Sequence, residues 1–380
     1  MVAAVVLWFS MKILVTGGAG YIGSHTVALL KKRGDFVVVL DSMEFGHKEA
    51  IGDTPLVVGN VSDKELVKKT LAEHGIEAVI HFAAYKAAGE SMSEPAKYFE
   101  NNFVGSLRLI EAVCEAGVKK FVFSSTAAVY GTPAVLPVNE SCRVAPENPY
   151  GESKFLVERA LHWFSERKGL NYVALRYFNA AGAALDGENG EDPRRAANLI
   201  PLVMNVATGR SEKIKVFGND YPTADGTCVR DYIHVLDLAA AHAVALEYLS
   251  RADAGVTPPT SPYPKGRDAS GLRSTDGPAP SLIIREGRGE LSGESSAAAS
   301  NIFNLGTGKG ASVMEVIKLA REITGKEIPA EIVPRRPGDP SAVWADNAKA
   351  VVVLGWKPQY GIKEIIESAW QWAEKHPDGF

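Results

Sequence analysis

Cysteine is scarce in this 380-residue sequence, which contains only Cys114, Cys142 and Cys228. The three residues lie far apart and form no CxxC pair, so they predict neither a zinc site nor a disulfide framework. The eight histidines include no HExxH pattern, and we interpret His234 as a strand end and His242 as part of a helix face. We therefore expect reduced thiols, no bound metal and no metal-dependent hydrolase.

An excess of positive charge is missing as well. The formal net charge of −4 provides no basic field for a polyanion. We therefore expect no nucleic-acid partner, and we expect any recognition of phosphate to be local.

Long apolar runs are also absent. The first ten residues, MVAAVVLWFS, are apolar, but they are too short to span a bilayer and lack the basic residues of a signal peptide. We interpret residues 1–10 as an extension before the fold, which begins at Met11. The expectation is a cytoplasmic protein with no membrane partner.

Short runs rich in β-branched residues alternate with helix-length segments along residues 11–180. The predicted strands cover residues 12–16, 36–40, 55–58, 78–82, 120–124 and 172–177, and the predicted helices cover residues 22–32, 64–74, 96–116 and 151–168. Continuous apolar strands separated by helices are typical of a parallel sheet that is covered on both faces. The pattern predicts an α/β fold with a Rossmann-type doubly wound parallel sheet.

The regular alternation stops after residue 180. Loops rich in Gly, Pro and Asp, and a further strand and helix pattern after residue 301, predict that residues 181–380 form mainly a smaller α/β lobe for the substrate. Some of its elements could complete the sheet of residues 11–180. Residues 251–300 are dominated by Gly, Ser, Pro and Ala, a composition that predicts a disordered insertion.

A glycine-rich turn joins the first predicted strand to the first predicted helix. Gly17, Gly20 and Gly23 form a GxxGxxG pattern, and Gly18 allows GxGxxG to be read there too. Glycines at this place let the backbone approach a pyrophosphate that lies on the helix N-terminus. The pattern predicts a dinucleotide site.

Asp41 ends the second predicted strand, 18 residues after Gly23. A carboxylate there accepts hydrogen bonds from the adenosine ribose and repels a 2′-phosphate. Ser42 follows, and no arginine lies nearby to compensate. The sequence therefore predicts NAD rather than NADP as the cofactor.

Tyr150 and Lys154 are four residues apart, so on a helix they share one face. Ionising the phenol near neutrality requires a shift of about 3 pKa units, or about 4 kcal/mol. A cationic Lys154 and a positive nicotinamide ring could supply this stabilisation. Thr126 ends the strand-like FSST run and is expected to hydrogen-bond a substrate hydroxyl. We predict that these three residues are catalytic.

Several segments resemble the extended short-chain dehydrogenases/reductases, and in particular the nucleotide-sugar epimerases of that family. The resemblance runs from Met11 to the last residue, interrupted by residues 251–300. Its segments are TGGAGYIGSH (16–25), HFAAYKAAGES (81–91), FSSTAAVYG (123–131), PYGESK (149–154), RYFNAAG (176–182) and FGNDYPTADGTCVRDYIHV (217–235). The last segment is the most specific.

The resemblance implies an isomerase that inverts carbon 4 of UDP-glucose and UDP-galactose through a transient 4-keto sugar. It also implies a homodimer, since the segments 96–116 and 151–168 carry more apolar surface than one sheet face covers. The implied NAD-binding residues, besides the glycines, Ser42 and the catalytic three, are Tyr21, Ile22, Asp41, Asn60, Val61, Phe82, Ala83, Ala84, Lys86, Asn101 and Phe178. The implied residues for the nucleotide sugar, besides Thr126 and Tyr150, are Asn179, Asn198, Leu199, Lys215, Phe217, Arg230, Arg336, Asp339 and Val343.

Three positions depart from the family pattern or set specificity within it. Asn60 stands where relatives usually have Asp near the adenine, and Thr126 replaces the commoner Ser. Val343, seven residues after Arg336, corresponds to a wall residue whose size limits the group at carbon 2 of the sugar. Its intermediate size predicts slow epimerisation of UDP-N-acetylglucosamine.

Other functions remain open on the same scaffold. Dehydratases carry Asp-Glu directly after the Thr, whereas this sequence has Ala127 and Ala128, which cannot transfer protons. Decarboxylase-like relatives tend to carry Glu at the second position. Epimerases of UDP-N-acetylglucosamine or UDP-glucuronate are closer alternatives. A non-catalytic NAD-binding regulator is a further one, although such proteins typically lose the Tyr or the Lys.

Overall fold

The computed structural model describes residues 10–253, 301–336 and 339–380. Residues 1–9 of the predicted extension and 254–300 of the predicted insertion lie outside the described residues. Residues 251–253, which we also assigned to the insertion, end a long helix.

Seven parallel strands form the central sheet of the described chain, in the order β10-β6-β5-β4-β1-β2-β3. The chain moves outward from β1 in both directions, which is the doubly wound arrangement. The predicted fold class is confirmed. The strands are β1 (Lys12–Thr16), β2 (Phe36–Asp41), β3 (Leu56–Val58), β4 (Ala78–His81), β5 (Lys120–Thr126), β6 (Asn171–Tyr177) and β10 (Ile302–Leu305).

Helices connect these strands and cover both faces of the sheet. Alternate strand residues point to opposite faces, so Ile13 and Val15 pack in one apolar layer and Leu14 in the other. Helices α1 and α8 contribute to the first layer, whereas α2, α5 and α6 contribute to the second. Their bounds are α1 (Tyr21–Arg33), α2 (Lys64–His74), α3 (Ala88–Ser93), α4 (Pro95–Tyr98), α5 (Gly105–Glu115), α6 (Pro149–Lys168) and α8 (Val235–Asp253).

The predicted helix over 96–116 is not continuous. A π-helical turn, Phe99–Val104, separates α4 from α5. The Asn102 side chain bonds both main-chain groups of Tyr85 and the hydroxyl of Ser153. These tertiary contacts account for a wider turn that the apolar periodicity does not reveal, and such turns often occur at functional sites.

The remaining elements form a second lobe with its own apolar cluster. Strands β7 (Asn179–Ala181), β11 (Gly310–Ser312) and β13 (Ala342–Val343) pair with β9 (Val229–His234), and β8 (Ile214–Phe217) pairs with β12 (Ala330–Val333). Helices α7 (Leu199–Ala207), α9 (Val313–Thr324) and α10 (Ile362–Lys375) pack on them. Elements from beyond residue 180, α8 and β10, complete the larger sheet.

No helix in the described part of the chain is long and apolar enough to cross a membrane. The same residues contain no group of three or more His, Cys, Asp or Glu that could hold a metal ion.

Candidate active site

A cleft opens where β1, β2, β3, β4 and β6 end at their carboxyl sides, and its volume is about 1720 Å³ when the open solvent at its mouth is included. Ligands in doubly wound folds bind at this edge of the sheet, because the loops that follow the strands converge there. Most residues predicted to hold the cofactor line this cleft. They are Gly17, Gly20, Tyr21, Ile22, Gly23, Asp41, Ser42, Asn60, Val61, Phe82, Ala83, Ala84, Lys86, Asn101, Tyr150 and Lys154.

The turn between β1 and α1 forms the floor of the cleft. Gly17 has φ +69° and a Cβ there would lie 2.5 Å from the amide nitrogen of Ala83. A Cβ on Gly23 would lie 2.2 Å from the carbonyl oxygen of Gly17. The backbone is therefore packed as closely as a pyrophosphate cradle at a helix N-terminus requires.

Asp41 is buried at the end of β2 and accepts hydrogen bonds from two neighbouring loops. Its Oδ2 accepts a hydrogen bond from the amide of Ala19 at 3.0 Å, and its Oδ1 accepts one from the amide of Met43 at 2.9 Å. Asp41 also lines the cleft, and in this fold an acidic residue at this place accepts hydrogen bonds from the ribose hydroxyls of a dinucleotide. The fit favours NAD over a 2′-phosphorylated cofactor.

Lys86 lines the cleft and pairs with a carboxylate. Its Nζ is 2.5 Å from Oε1 of Glu191 and 5.9 Å from the centre of the Tyr21 ring. The Tyr21 hydroxyl in turn donates to the carbonyl of Gly182 at 2.6 Å. Glu191 is thus the immediate partner of a lysine that we assigned to the cofactor.

The N-terminus of α6 carries the predicted catalytic pair to the cleft. Asn148 caps the helix by accepting a hydrogen bond from the amide of Gly151 at 2.8 Å. The first turn then places the Tyr150 phenol near the side chain of Thr126, at the end of β5. One turn later Lys154 donates to the carbonyl of Ser124 at 2.9 Å.

Burial governs the protonation of both side chains. It lowers the pKa of Lys154 to about 7, against the opposing influence of the Glu158 carboxylate one turn further along the helix. Burial also raises the pKa of the Tyr150 phenol, and the nearby Thr126 side chain opposes this rise. The expected lowering of this pKa relied on the nicotinamide charge as well as on Lys154, so it stays a prediction.

Two residues predicted for the cofactor site lie behind the cleft rather than among its lining residues. Thr126 is buried, and its Oγ1 also accepts a hydrogen bond from the amide of Ala128 at 3.1 Å. Phe178 packs in a small apolar cluster with Val129 and Tyr130.

The predicted nucleotide-sugar residues belong to the second lobe or to the strand leading into it, and none of the nine lies among the lining residues of this cleft. Arg230 pairs with Asp339, and the Arg336 guanidinium stacks on Phe217 at 3.8 Å. Val343 on β13 is the register partner of Arg230 on β9.

The other predicted substrate residues have separate environments. Asn179 donates to the carbonyl of Asp231 at 3.1 Å. Asn198 is exposed just before α7, which Leu199 begins, and Lys215 is exposed on β8.

Several residues that line the cleft were not predicted from the sequence. Tyr177 ends β6, and its hydroxyl hydrogen-bonds that of Ser124 at 2.9 Å. Tyr85 lies in the segment 81–91, which carries the family resemblance, but no role was assigned to it. Others lie in loops for which no motif was recognised, so only the folded chain brings them to the cleft. They include Glu44, Phe45, Gly46, His47, Glu191, Asp192, Arg195 and Phe380.

Comparisons with known proteins agree with this geometry. Residues 13–257 match the model of the NAD dependent epimerase/dehydratase family. The chain is 45% identical to a UDP-glucose 4-epimerase of Halalkalibacterium halodurans over 371 residues, which cover 97% of this chain and 98% of the relative.

Solved structures of relatives superimpose over nearly the whole chain. UDP-glucose 4-epimerase from Brucella ovis, in complex with NAD, is 38% identical with a TM-score of 0.81, and the match covers 95% of this chain and 98% of that one. The enzyme from Bifidobacterium longum, in complex with NAD+ and UDP, is 37% identical with a TM-score of 0.80, and covers 97% and 100%.

Proposed function

This chain belongs to the NAD dependent epimerase/dehydratase family, and from that membership we propose that it interconverts UDP-glucose and UDP-galactose as an isomerase. The observation that carries the proposal is the placement of Tyr150 and Lys154 in the lining of a dinucleotide cleft, with Thr126 buried next to them. The near full-length similarity to UDP-glucose 4-epimerases supports the same activity.

The residues that would hold NAD are those that the cleft brings together. The glycine turn would receive the pyrophosphate on the N-terminus of α1, and Asp41 would accept hydrogen bonds from the adenosine ribose. Lys86 also lines the cleft, and its charge suits a phosphate once its pairing with Glu191 is relaxed. Bound NAD supplies a hydride acceptor and donor for carbon 4 of the sugar, so the reaction has no net redox change.

Tyr150 would act as the general base and general acid for the proton of the sugar 4-hydroxyl. It takes that proton as carbon 4 is oxidised and returns it when the 4-keto sugar is reduced on its other face. Thr126 lies near the phenol and would hydrogen-bond the same sugar hydroxyl. Because burial raises the pKa of Tyr150, a neighbouring positive charge is needed to stabilise the phenolate, and Lys154 lies one helical turn away.

The second lobe would hold the UDP part of the substrate. Arg230 and Arg336 are suited to the pyrophosphate, since a planar guanidinium binds such oxygens in bidentate fashion. Arg230 is already oriented by Asp339, and Arg336 by the ring of Phe217. Firm binding of UDP with few contacts to the sugar would leave the 4-keto sugar free to turn over.

The exposed side of α6 supports a homodimer. Trp163 is 51% exposed, and Phe155 and Phe164 on the same helix are only half-buried. A second copy would cover these rings, which cost free energy when left in water. The three free cysteines of the chain fit our further proposal that the enzyme acts in the cytoplasm.

One assay tests the proposed activity directly. Purified protein is incubated with UDP-galactose without added NAD, and the nucleotide sugars are separated at intervals. UDP-glucose should accumulate to an equilibrium mixture, and the same mixture should form from UDP-glucose. If neither sugar is converted by protein that demonstrably contains NAD, the proposed activity is wrong.

A further inference from the structure

Three aromatic side chains, one from the loop after β2 and two from the C-terminal part of the chain, contact each other at one rim of the cofactor cleft. The Phe380 ring lies 4.8 Å from the His47 ring at an interplanar angle of 26°, and 4.8 Å from the Trp372 ring. We refer to His47, Trp372 and Phe380 as the aromatic clasp. Both His47 and Phe380 line the cleft itself.

His47 is attached to the part of the cleft that suits a pyrophosphate. Its amide donates to the carbonyl of Ala19, within the glycine turn, at 3.0 Å. Its Nε2 lies 3.1 Å from Oδ2 of Asp192 on the facing loop. The imidazole therefore connects the loop after β2 with the loop that contains Glu191.

Trp372 is the member of the clasp that the protein core holds in place. It is buried on α10, and its Nε1 donates to the carbonyl of Glu191 at 2.9 Å. Gly190 packs directly against the indole, because a Cβ at that position would lie 2.4 Å from the ring. The Glu191 loop is thus held by the indole from behind, while its carboxylate pairs with Lys86 across the cleft.

The segment 376–380 carries Phe380 over the rim. Arg210 donates to the carbonyl of Pro377 and pairs with Asp378. Gly379 has φ +78°, and a Cβ there would lie 3.0 Å from Oδ1 of Asp192. The left-handed turn and this close approach direct the Phe380 ring back to His47, where it is half-buried.

We propose that the aromatic clasp closes over the ribose and pyrophosphate of bound NAD and slows its dissociation. The clasp joins the loop after β2, the Glu191 loop and segment 376–380, all of which line the cleft. NAD held between the glycine turn and Asp41 could leave only when these walls separate, which requires the Phe380–His47 stack to break. An enzyme whose reaction consumes no net NAD gains nothing from exchanging it, so slow release suits the proposed function.

The rate at which bound NAD exchanges with radiolabelled NAD tests the clasp. The full chain is purified with NAD bound and exchange is followed without sugar, so the result does not depend on the proposed epimerisation. Phe380→Ala should exchange NAD at least tenfold faster than wild type, and Phe380→Tyr, which keeps a ring, should stay within about twofold. His47→Ala should also be faster, and the double variant should be no faster than the faster single variant, because both remove the same stack.

Phe36→Ala is the matched control. Phe36 also lies near a histidine ring, His74, at 6.1 Å, but it does not line the cleft. Its variant should exchange NAD at the wild-type rate. If Phe380→Ala loses thermal stability while its exchange rate stays equal to that of wild type, the contact is only structural packing and the proposal is overturned. Equal acceleration in Phe36→Ala would overturn it too, since general destabilisation would then explain the effect.

Discussion

The Nζ of Lys154 lies 2.9 Å from the carbonyl oxygen of Ser124 and donates a hydrogen bond to it, one helical turn after Tyr150, the proposed catalytic residue. Ser124 precedes Thr126 by two residues on β5. One bond therefore ties the helix that carries Tyr150 and Lys154 to the strand that carries Thr126. Burial of Lys154 makes its protonated form costly for the folded state.

We predict that the stability of wild type relative to Lys154→Met increases as pH rises from 7 to 10. The folded pKa of Lys154 is lowered from 10.5 to about 7, so between these values the unfolded chain binds the extra proton. Stability then rises with pH, and the cost of burying the charge is fully present only below pH 7. The shift corresponds to at most about 5 kcal/mol. Thermal unfolding of both NAD-loaded proteins at several pH values would measure the trend, and a constant difference would contradict it.

Tyr150→Phe should lose activity by about 10²–10⁴-fold, because only the proton acceptor is removed. Binding of NAD and UDP should be nearly unchanged, since the ring remains in place. Steady-state rates and calorimetric titration with UDP would separate the two effects. Tyr172→Phe, at a buried position of β6 away from the cleft, is the control and should remain active. Comparable turnover by Tyr150→Phe and wild type would refute the assigned role.

Asp41→Ala should purify with much less NAD, by roughly tenfold or more, because the ribose loses an acceptor and Ala19 loses its partner. Asp41→Asn should retain more NAD than Asp41→Ala and should discriminate less against NADP, since the repelling charge is gone. The dinucleotide released on denaturation can be quantified by chromatography. Asp53→Asn, at an exposed carboxylate that pairs with Lys31, should keep its full content. A wild-type protein that prefers NADP would contradict the argument.

Arg230→Lys should reduce kcat/KM for UDP-galactose about 10- to 100-fold, mainly through a higher KM. Lysine cannot reproduce the planar bidentate contact, and a charged hydrogen bond contributes about 1.5–3 kcal/mol. Arg335→Lys provides the comparison, because Arg335 is exposed, pairs with Asp220 and stacks on Tyr221. Initial-rate kinetics of both variants test whether Arg230 contacts the substrate. Equal effects at the two positions would show that it does not.

The size of residue 343 should set tolerance for N-acetylated sugars. Val343 is half-buried beside Arg230 on the neighbouring strand, so its side chain is rigidly placed relative to the proposed UDP clamp. Wild type should epimerise UDP-N-acetylglucosamine slowly, Val343→Gly should do so faster, and Val343→Tyr should lose this activity. UDP-galactose should be turned over by all three. An unchanged ratio of the two activities across the series would mean that another residue limits the pocket.

Local patterns in the sequence were sufficient for six of the seven strands of the larger sheet and for one side of the cleft. The glycine turn could be predicted because all of its glycines lie within seven consecutive residues, 17–23, and it is the missing side chains there that let the backbone approach a pyrophosphate. The four-residue spacing of Tyr150 and Lys154 predicted one helix face, and the structure places both on the first turns of α6. By contrast, the π-helical turn Phe99–Val104 was not predicted, because it depends on Asn102 bonding a distant loop.

The sequence by itself determined the elements whose form depends on neighbours along the chain: the parallel strands, the helices between them, the glycine turn and the Tyr150–Lys154 pair. Only the tertiary structure decided which distant segments meet. It showed that α8 and β10 complete the sheet, that Lys86 pairs with Glu191, and that Phe380 reaches His47. The order of residues along the chain sets the periodicity of helices and strands and the form of local turns. Contacts between remote loops depend on how whole layers of helices and strands pack against each other. A local sequence pattern does not contain that information.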